Sequence, residues 1–256
     1  MKPYDAGAWV GVTGIPTRQE LLNAHESSGT RVMTLQKGVE PHDAFVRCMG
    51  LGPQFRFVNY DSGAPLHDRY RMDHDFLPKE QAQQLTDMTL VINAFFGWDF
   101  NSCEALRQEG CWHPIDFANA CPDSQVTSLH YHFPWLIKAN LRWSIFCAAS
   151  DRAMKTNLDW GDYFALADSD RSFDEKLAGY VAIARQHFDI DAFEEFCATH
   201  LPHLDEVAHE FFATDTVREA IREKVTALYP EHEVESFCDL FWNRVQESRR
   251  VEGAGA

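Results

Sequence analysis

The sequence of 256 residues lacks an apolar run long enough to cross a membrane. The longest apolar stretch, from Leu90 to Trp98, is interrupted by Asn93 and is far shorter than the roughly 20 residues that a spanning helix needs. The N-terminus, MKPYDAGAW, also lacks the apolar core of a secretory signal peptide. We therefore expect no membrane association and a cytoplasmic location.

Basic residues are scarce, since the chain has 23 Lys and Arg against 39 Asp and Glu, a net charge of −16. Phosphate backbones repel a chain this acidic, so no nucleic-acid partner is expected. The deficit is uneven: residues 1–150 hold 12 basic and 16 acidic residues, net −4, whereas residues 151–256 hold 11 and 23, net −12. This change in composition predicts two domains that meet near residue 150.

The seven cysteines include no CxxC pair, and the chain shows no internal repeat or low-complexity segment. An odd number of cysteines without a secretion signal does not indicate a disulfide framework. We expect these cysteines to be reduced thiols. The length allows a sizeable hydrophobic core.

Hydrophobic periodicity predicts an α+β fold, with a mostly antiparallel sheet and flanking helices to about residue 150 and an all-helical acidic extension over 151–256. A capping box at Thr17–Glu20 marks one helix start. The spacing of His130 and His132 predicts that they share one face of a strand. The other predicted elements before residue 150 are a helix at 18–27, a strand at 31–36, a hairpin of strands at 44–49 and 54–60, and helices at 79–95 and 135–149.

The stretch from Phe96 to Asp123 carries the main chemical signal. It reads as a strand at 98–106, a turn that places Gly110 at positive φ, and a strand at 112–117. Glu104, Asp116 and Asn119 cluster on this hairpin, and carboxylate and amide oxygens are hard ligands that suit Mg²⁺. An ordinary hairpin with surface acids is the alternative, because acids near turns are common.

The first residues form a loop of small residues that begins after Lys2 and includes Gly7 and Gly11. Such a loop lets backbone N–H groups approach phosphate oxygens, while a lysine supplies positive charge. Glycine-containing hairpins without any ligand are also common, so this motif alone is weak.

The order of these motifs resembles the nucleotide-binding part of the ATP-grasp carboxylate ligases, the superfamily of D-alanine–D-alanine ligase and glutathione synthetase. The resemblance covers about residues 1 to 125. It implies that Glu104, Asp116 and Asn119 hold Mg²⁺, with Asp99 as the competitor for the role of Glu104. It also implies that Arg69 or Arg71 approaches the phosphates across the cleft.

The same resemblance implies an ATP site. Its expected members are the phosphate-binding Lys2, Gly7 and Gly11 of the small loop, the adenine-reading hinge of Gln36, Lys37 and Val39, and the ribose-binding Asp43. Two features depart from the family pattern within this stretch. The small loop has alanines at positions 6 and 8 where the family is richer in glycine. The spacing from Asp116 to Asn119 would point them to opposite faces of a regular strand, so a bulge or the end of the strand is required.

Family members also carry an N-terminal domain before this point, whereas this chain begins at Met1. Three explanations stay open: a truncated product, a misplaced start, or half of a split enzyme whose N-terminal part is a separate subunit. A reading frame directly upstream that encodes the missing domain would favour an active ligase.

The resemblance implies an ATP-dependent ligase that activates a carboxylate as an acylphosphate for attack by an amine or similar nucleophile. The expected substrate is a small-molecule or peptide carboxylate, and the expected cofactors are ATP and Mg²⁺. The alternative function is a non-catalytic ATP-grasp remnant that binds a partner protein through its acidic helices.

Overall fold

The computed structural model describes residues 1–5, 10–73, 75–153 and 159–254. It has mixed α/β architecture, with two small antiparallel sheets and a helical C-terminal region. Among the described residues, no helix is both long and apolar enough to cross a membrane. The cysteines are all free thiols, as the sequence predicts.

The larger sheet has four antiparallel strands, which confirms the predicted antiparallel sheet. Its strands are β3 (Ala44–Leu51), β4 (Gln54–Asn59), β5 (Phe100–Gln108) and β6 (Cys111–Ala120), in the spatial order β4-β3-β5-β6. The β5–β6 turn has Glu109 at φ +51° and Gly110 at φ +79°, so the predicted positive φ is present. Two consecutive residues at positive φ match the twist of a tight hairpin.

The smaller sheet pairs β1 (Lys2–Pro3) with β2 (Met33–Thr34). The strand predicted at 31–36 is therefore shorter than expected, and Trp9, where a strand was expected to resume, lies outside the described residues. Between the two strands, α1 (Arg18–Ser27) begins where the sequence predicts. The side chain of Thr17 accepts a hydrogen bond from the Glu20 N–H, which is the predicted cap.

The other regular elements of the described chain are helices and short 3₁₀ turns. Before residue 150 they are α2 (Lys79–Phe96), α3 (Val126–Leu129) and α4 (Phe133–Ala149). After it they are α5 (Gly161–Ala167), α6 (Phe173–Phe188), α7 (Ile190–His200), α8 (Leu204–Phe211), α9 (Asp215–Leu228) and α10 (Val234–Ala254). Short 3₁₀ turns occur at Leu66–Asp68, His130–His132 and Glu231–Glu233. The predicted helical character of the C-terminal region is confirmed.

The two faces of the four-stranded sheet have different partners. One face buries Val46, Cys48 and Cys103 against Leu85 of α2. The other buries Met49 and neighbouring residues in a larger cluster that also includes Trp143 of α4 and Phe188 of α6. Chain segments on both sides of residue 150 thus share one core, while the two-domain division by composition stays a prediction.

The prediction that His130 and His132 lie on a strand is wrong. They form a buried 3₁₀ turn between α3 and α4. His132 Nε2 is 2.8 Å from the carbonyl oxygen of Arg71, and Arg56 Nε donates to His132 Nδ1 at 3.2 Å. The period-2 spacing is therefore accidental here, because tertiary hydrogen bonds fix these rings.

Gly52, between β3 and β4, should tolerate no side chain. It has φ +54°, and a Cβ built there would lie 2.4 Å from the Trp143 ring. We expect Gly52→Ala to lower the free energy of unfolding by about 2–4 kcal/mol, through the strain of positive φ plus overpacking. The matched control Gly110→Ala, at φ +79° with open space around it, should lose only about 1 kcal/mol. If urea denaturation shows equal losses of unfolding free energy in both variants, the Trp143 ring moves aside without cost and the overpacking is refuted.

Candidate functional site

Glu104 and Asp116 face each other across β5 and β6, and Asn119 lies opposite Ser102. Ser102 and Glu104 are two positions apart on β5, whereas their partners Asn119 and Asp116 are three positions apart on β6. The additional residue on β6 forms a β-bulge. Residues that are directly paired across antiparallel strands present their side chains on the same face. Of the two arrangements that the sequence left open, a bulge and a strand end, the bulge is present, and Asn119 lies on the Glu104 face of the sheet.

Glu104 is an unusually buried acid. Its side chain is 13% exposed, and its Oε1 lies 3.6 Å from Nε of Arg47, which is the residue paired with it on β3. Burial raises the pKa of Glu104, the Arg47 charge lowers that pKa, Asp116 raises it and Lys2 lowers it. The charges of Asp116, Arg47 and Lys2 therefore all act on the Glu104 carboxylate.

Arg47 was not predicted from the sequence as a member of the candidate site, but it contacts Glu104. Its guanidinium carbon lies 5.6 Å from the ring centroid of Tyr60 and 5.4 Å from that of Tyr70. Arg47 also donates to the Tyr70 hydroxyl and, at 3.3 Å, to Ser102 Oγ. A charged residue inside the apolar strand sequence AFVRCM was the available signal, because arginine is rarely buried without a partner.

Tyr70 contacts the Arg47 guanidinium through its ring and its hydroxyl. Burial raises the pKa of Tyr70 to about 12, with Arg47 lowering it and Asp123, Tyr60 and Glu104 raising it. The hydroxyl is therefore protonated at neutral pH. It is able to accept a hydrogen bond from Arg47 while keeping its own proton for another acceptor.

Arg69 and Arg71 stabilise the loop that follows β4. Arg69 Nε donates to the Ala64 carbonyl at 3.1 Å, and Arg71 Nη2 pairs with Asp61 Oδ2 at 2.5 Å. The arginine that contacts Glu104 is Arg47 instead. A phosphate contact from Arg69 or Arg71 stays a prediction.

Two of the residues predicted to bind adenine and ribose, Gln36 and Asp43, contact the β5–β6 hairpin. Gln36 Nε2 donates to the Ile115 carbonyl at 3.3 Å, one residue before Asp116. Asp43 Oδ1 accepts from Arg107 Nε at 2.8 Å, and this hydrogen bond lowers the pKa of Asp43. The segment that includes Lys37 and Val39 therefore runs next to the β6 edge, and a ribose would have to compete with Arg107 for Asp43.

The N-terminal residues are only partly described. Lys2 pairs with Thr34 in the small sheet, and its positive charge lowers the pKa of Glu104. Gly11 has φ +74°. Gly7 lies outside the described residues, so its predicted phosphate contact is not described by the structure.

Asp99 does not share the position of Glu104. Its backbone carbonyl accepts from the Gly52 N–H at 2.7 Å, just before β5 begins. Burial raises the pKa of Asp99, while Arg152 and a hydrogen bond from Trp143 lower it. Asp99 therefore belongs to the surroundings of Trp143, and Glu104 is the acid that opposes Asp116.

No family model, curated protein or solved structure matches this chain. Within the described ranges, no group of three or more His, Cys, Asp or Glu side chains is arranged to hold a metal ion. Glu104, Asp116 and Asn119 together offer two carboxylates and one amide on one face of the sheet.

Proposed function

We propose that the chain is an ATP-grasp-like ligase that activates a carboxylate with ATP and Mg²⁺. The observation that carries the proposal is the β6 bulge, which places Asn119 on the same sheet face as the facing pair Glu104 and Asp116. Gln36 of the predicted adenine-binding segment donates to the Ile115 carbonyl of the same strand, one residue before Asp116, so a nucleotide bound by this segment would lie close to the candidate ligands.

The chemistry of these side chains suits Mg²⁺. This ion takes one or two carboxylates and fills its other positions with water and substrate phosphates. The charge of Asp116 raises the pKa of Glu104, which means that the two carboxylates repel each other. A divalent cation between them would relieve that repulsion. Bound Mg²⁺ would neutralise phosphate charge during transfer.

Positive side chains have the complementary role. Arg47 is held in place by Tyr60, Tyr70 and Ser102, so its position is fixed before any ligand arrives. Together with Lys2 it would balance the charge of the phosphate oxygens. Such preorganised charges stabilise a transferring phosphoryl group without reorganisation during the reaction.

The proposed reaction has two steps. A substrate carboxylate oxygen attacks the γ-phosphorus of ATP, and the bond to the bridging oxygen breaks to give ADP and an acylphosphate. An amine nitrogen or similar nucleophile then attacks the acyl carbon, phosphate leaves, and the nucleophile loses its proton. The substrate is a small-molecule or peptide carboxylate, and the reaction takes place in the cytoplasm. The chain's contribution is orientation and charge neutralisation.

Isothermal titration calorimetry with ATP tests this function. We expect the full chain to bind ATP at least about tenfold more tightly with Mg²⁺ than with chelator, because the metal links the phosphates to Glu104 and Asp116. Adding candidate carboxylates and amines should then produce ADP. Absence of ATP binding under both conditions, with a folded circular dichroism spectrum, would contradict the proposal.

A second function, a non-catalytic protein-binding module, is favoured by two observations. Asp43 and Arg71 are both paired within the chain, with Arg107 and Asp61. The helical region also exposes large apolar side chains, at Phe164, Phe173, Val207 and Phe211. A folded chain that binds no nucleotide, combined with an upstream region that encodes no N-terminal domain, would support this function.

A further inference from the structure

Asn101 is a fully buried amide on β5 that lies behind the candidate metal face. Its Nδ2 donates to the Phe117 carbonyl at 2.9 Å, and its Oδ1 accepts from the Asn119 N–H at 3.0 Å. The same Nδ2 donates to Oδ1 of Asn93 on α2 at 2.8 Å. A single side chain therefore connects both ends of the β6 bulge to the helix packed behind the sheet.

The bulge needs such a side chain. An extra residue interrupts the hydrogen-bond ladder and leaves backbone groups without their usual strand partners. The Asn101 amide supplies one donor and one acceptor, which are the two groups that a backbone peptide of β5 would have supplied. Without it, the backbone between Phe117 and Asn119 would lose the bonds that fix which face Asn119 occupies.

The support behind Asn101 is costly for the fold. Asn93 is 0% exposed, and its Nδ2 has no hydrogen-bond partner among the described residues. The Asn93 side chain also packs directly against Gly50 of β3, since a Cβ on Gly50 would lie 2.6 Å from that nitrogen. A buried amide with an unpaired N–H is destabilising, so an apolar side chain would serve stability better. This indicates that the Asn93–Asn101 pair is present for the geometry that it imposes.

We propose that Asn101 is a positioning residue of the metal site. It touches no ligand, but it fixes the β6 bulge and thereby keeps Asn119 on the face of Glu104 and Asp116. This inference rests on the proposed Mg²⁺·ATP function, and it adds a residue to the site that the ligand set itself does not include.

The test compares Asn101→Leu, which has similar size and no hydrogen bonds, with the control Leu85→Val, which alters the same buried layer away from the bulge. Asn101→Ser serves as a second variant if Asn101→Leu does not fold. Calorimetry measures ATP affinity with Mg²⁺ and with chelator for each protein. We expect Asn101→Leu to lose about 10- to 100-fold in Mg²⁺-dependent affinity, the range typical of residues that support metal ligands. Metal-free ATP affinity should stay within about threefold of wild type, since the backbone hinge does not depend on the bulge.

Two other readouts separate the possible failures. Hydrogen exchange by NMR should show the Asn119 amide exchanging at least about tenfold faster in Asn101→Leu but not in Leu85→Val. Wild-type protein that shows no Mg²⁺-dependent binding would overturn the proposed function, and the role of Asn101 with it. Wild-type protein that binds, together with an Asn101→Leu variant of equal Mg²⁺ dependence, would overturn the positioning role alone. Equal losses in Leu85→Val would assign the effect to general destabilisation and also overturn it.

Discussion

Replacing Asp116 by Asn is expected to weaken Mg²⁺-dependent ATP binding by at least about 100-fold, a larger loss than that of a residue which only supports the ligands. The variant keeps the shape of the side chain and removes its negative charge. Asp116 is exposed, so the free energy of unfolding should change by no more than about 0.5 kcal/mol. Calorimetry with and without Mg²⁺ measures the effect.

Asp116 is a cleaner choice than Glu104 for this experiment. Removing the Glu104 charge would also leave Arg47 buried beside an uncharged partner, which destabilises the fold in its own right. The control is Glu109→Gln, because Glu109 is an exposed acid in the turn of the same hairpin. If Asp116→Asn and Glu109→Gln lose the same small amount of affinity, the effect is long-range charge and Asp116 is not a ligand.

A second large effect is expected on acidification, and it arises from His130. This ring is fully buried, and its Nδ1 accepts the Tyr131 N–H at 2.7 Å. Burial, followed by the charges of Arg244 and His132, lowers the pKa of His130 to about 3. A cationic ring would have to place a proton on the nitrogen that now accepts this bond.

The sign of the pH dependence follows from that lowered pKa. Below pH about 6.5 the unfolded chain binds a proton at His130 that the folded chain does not bind. The free energy of unfolding therefore decreases as the pH falls. The loss continues until about pH 3, where the folded state is also protonated. Between pH 7 and pH 4.5 the expected contribution is about 2.5–3 kcal/mol.

Urea denaturation at pH 7 and pH 4.5 measures this contribution. His130→Asn should remove most of it, since an amide has no proton to bind in this range. His232→Asn, an exposed histidine, should leave the pH dependence unchanged. NMR offers a direct check, because the His130 ring resonance should not titrate above pH 4. Titration near pH 6.5 would refute the assignment.

Local signals in the sequence predicted much of the fold. The capping box at Thr17 gives the observed start of α1, and Gly110 takes the positive φ that its turn requires. Both depend on residues within a few positions of each other. The need for either a bulge or a strand end before Asn119 also followed from local spacing, because the side-chain period of a strand is two. The structure contains that bulge.

Long-range contacts were beyond the reach of such signals. Arg47 lies 57 positions before Glu104, and the sequence predicts only an ordinary hairpin strand there, although the two residues pair directly. Asp43 was assigned to a ribose, while Arg107, 64 positions away, forms a bidentate pair with it. His130 and His132 suggested a strand by alternation, but their tertiary partners determine the backbone. Pairings of this kind depend on topology, which a local pattern does not encode.

In the proposed function, one divalent ion binds on the face shared by Glu104, Asp116 and Asn119. The most direct measurement is an electron paramagnetic resonance titration with Mn²⁺, which prefers the same oxygen ligands as Mg²⁺. In the presence of ATP, the wild-type chain should bind Mn²⁺ saturably, and Mg²⁺ should displace the bound Mn²⁺. The Asp116→Asn and Asn119→Ala variants should bind less Mn²⁺. Unchanged Mn²⁺ binding in both variants would place the ion elsewhere and contradict the account.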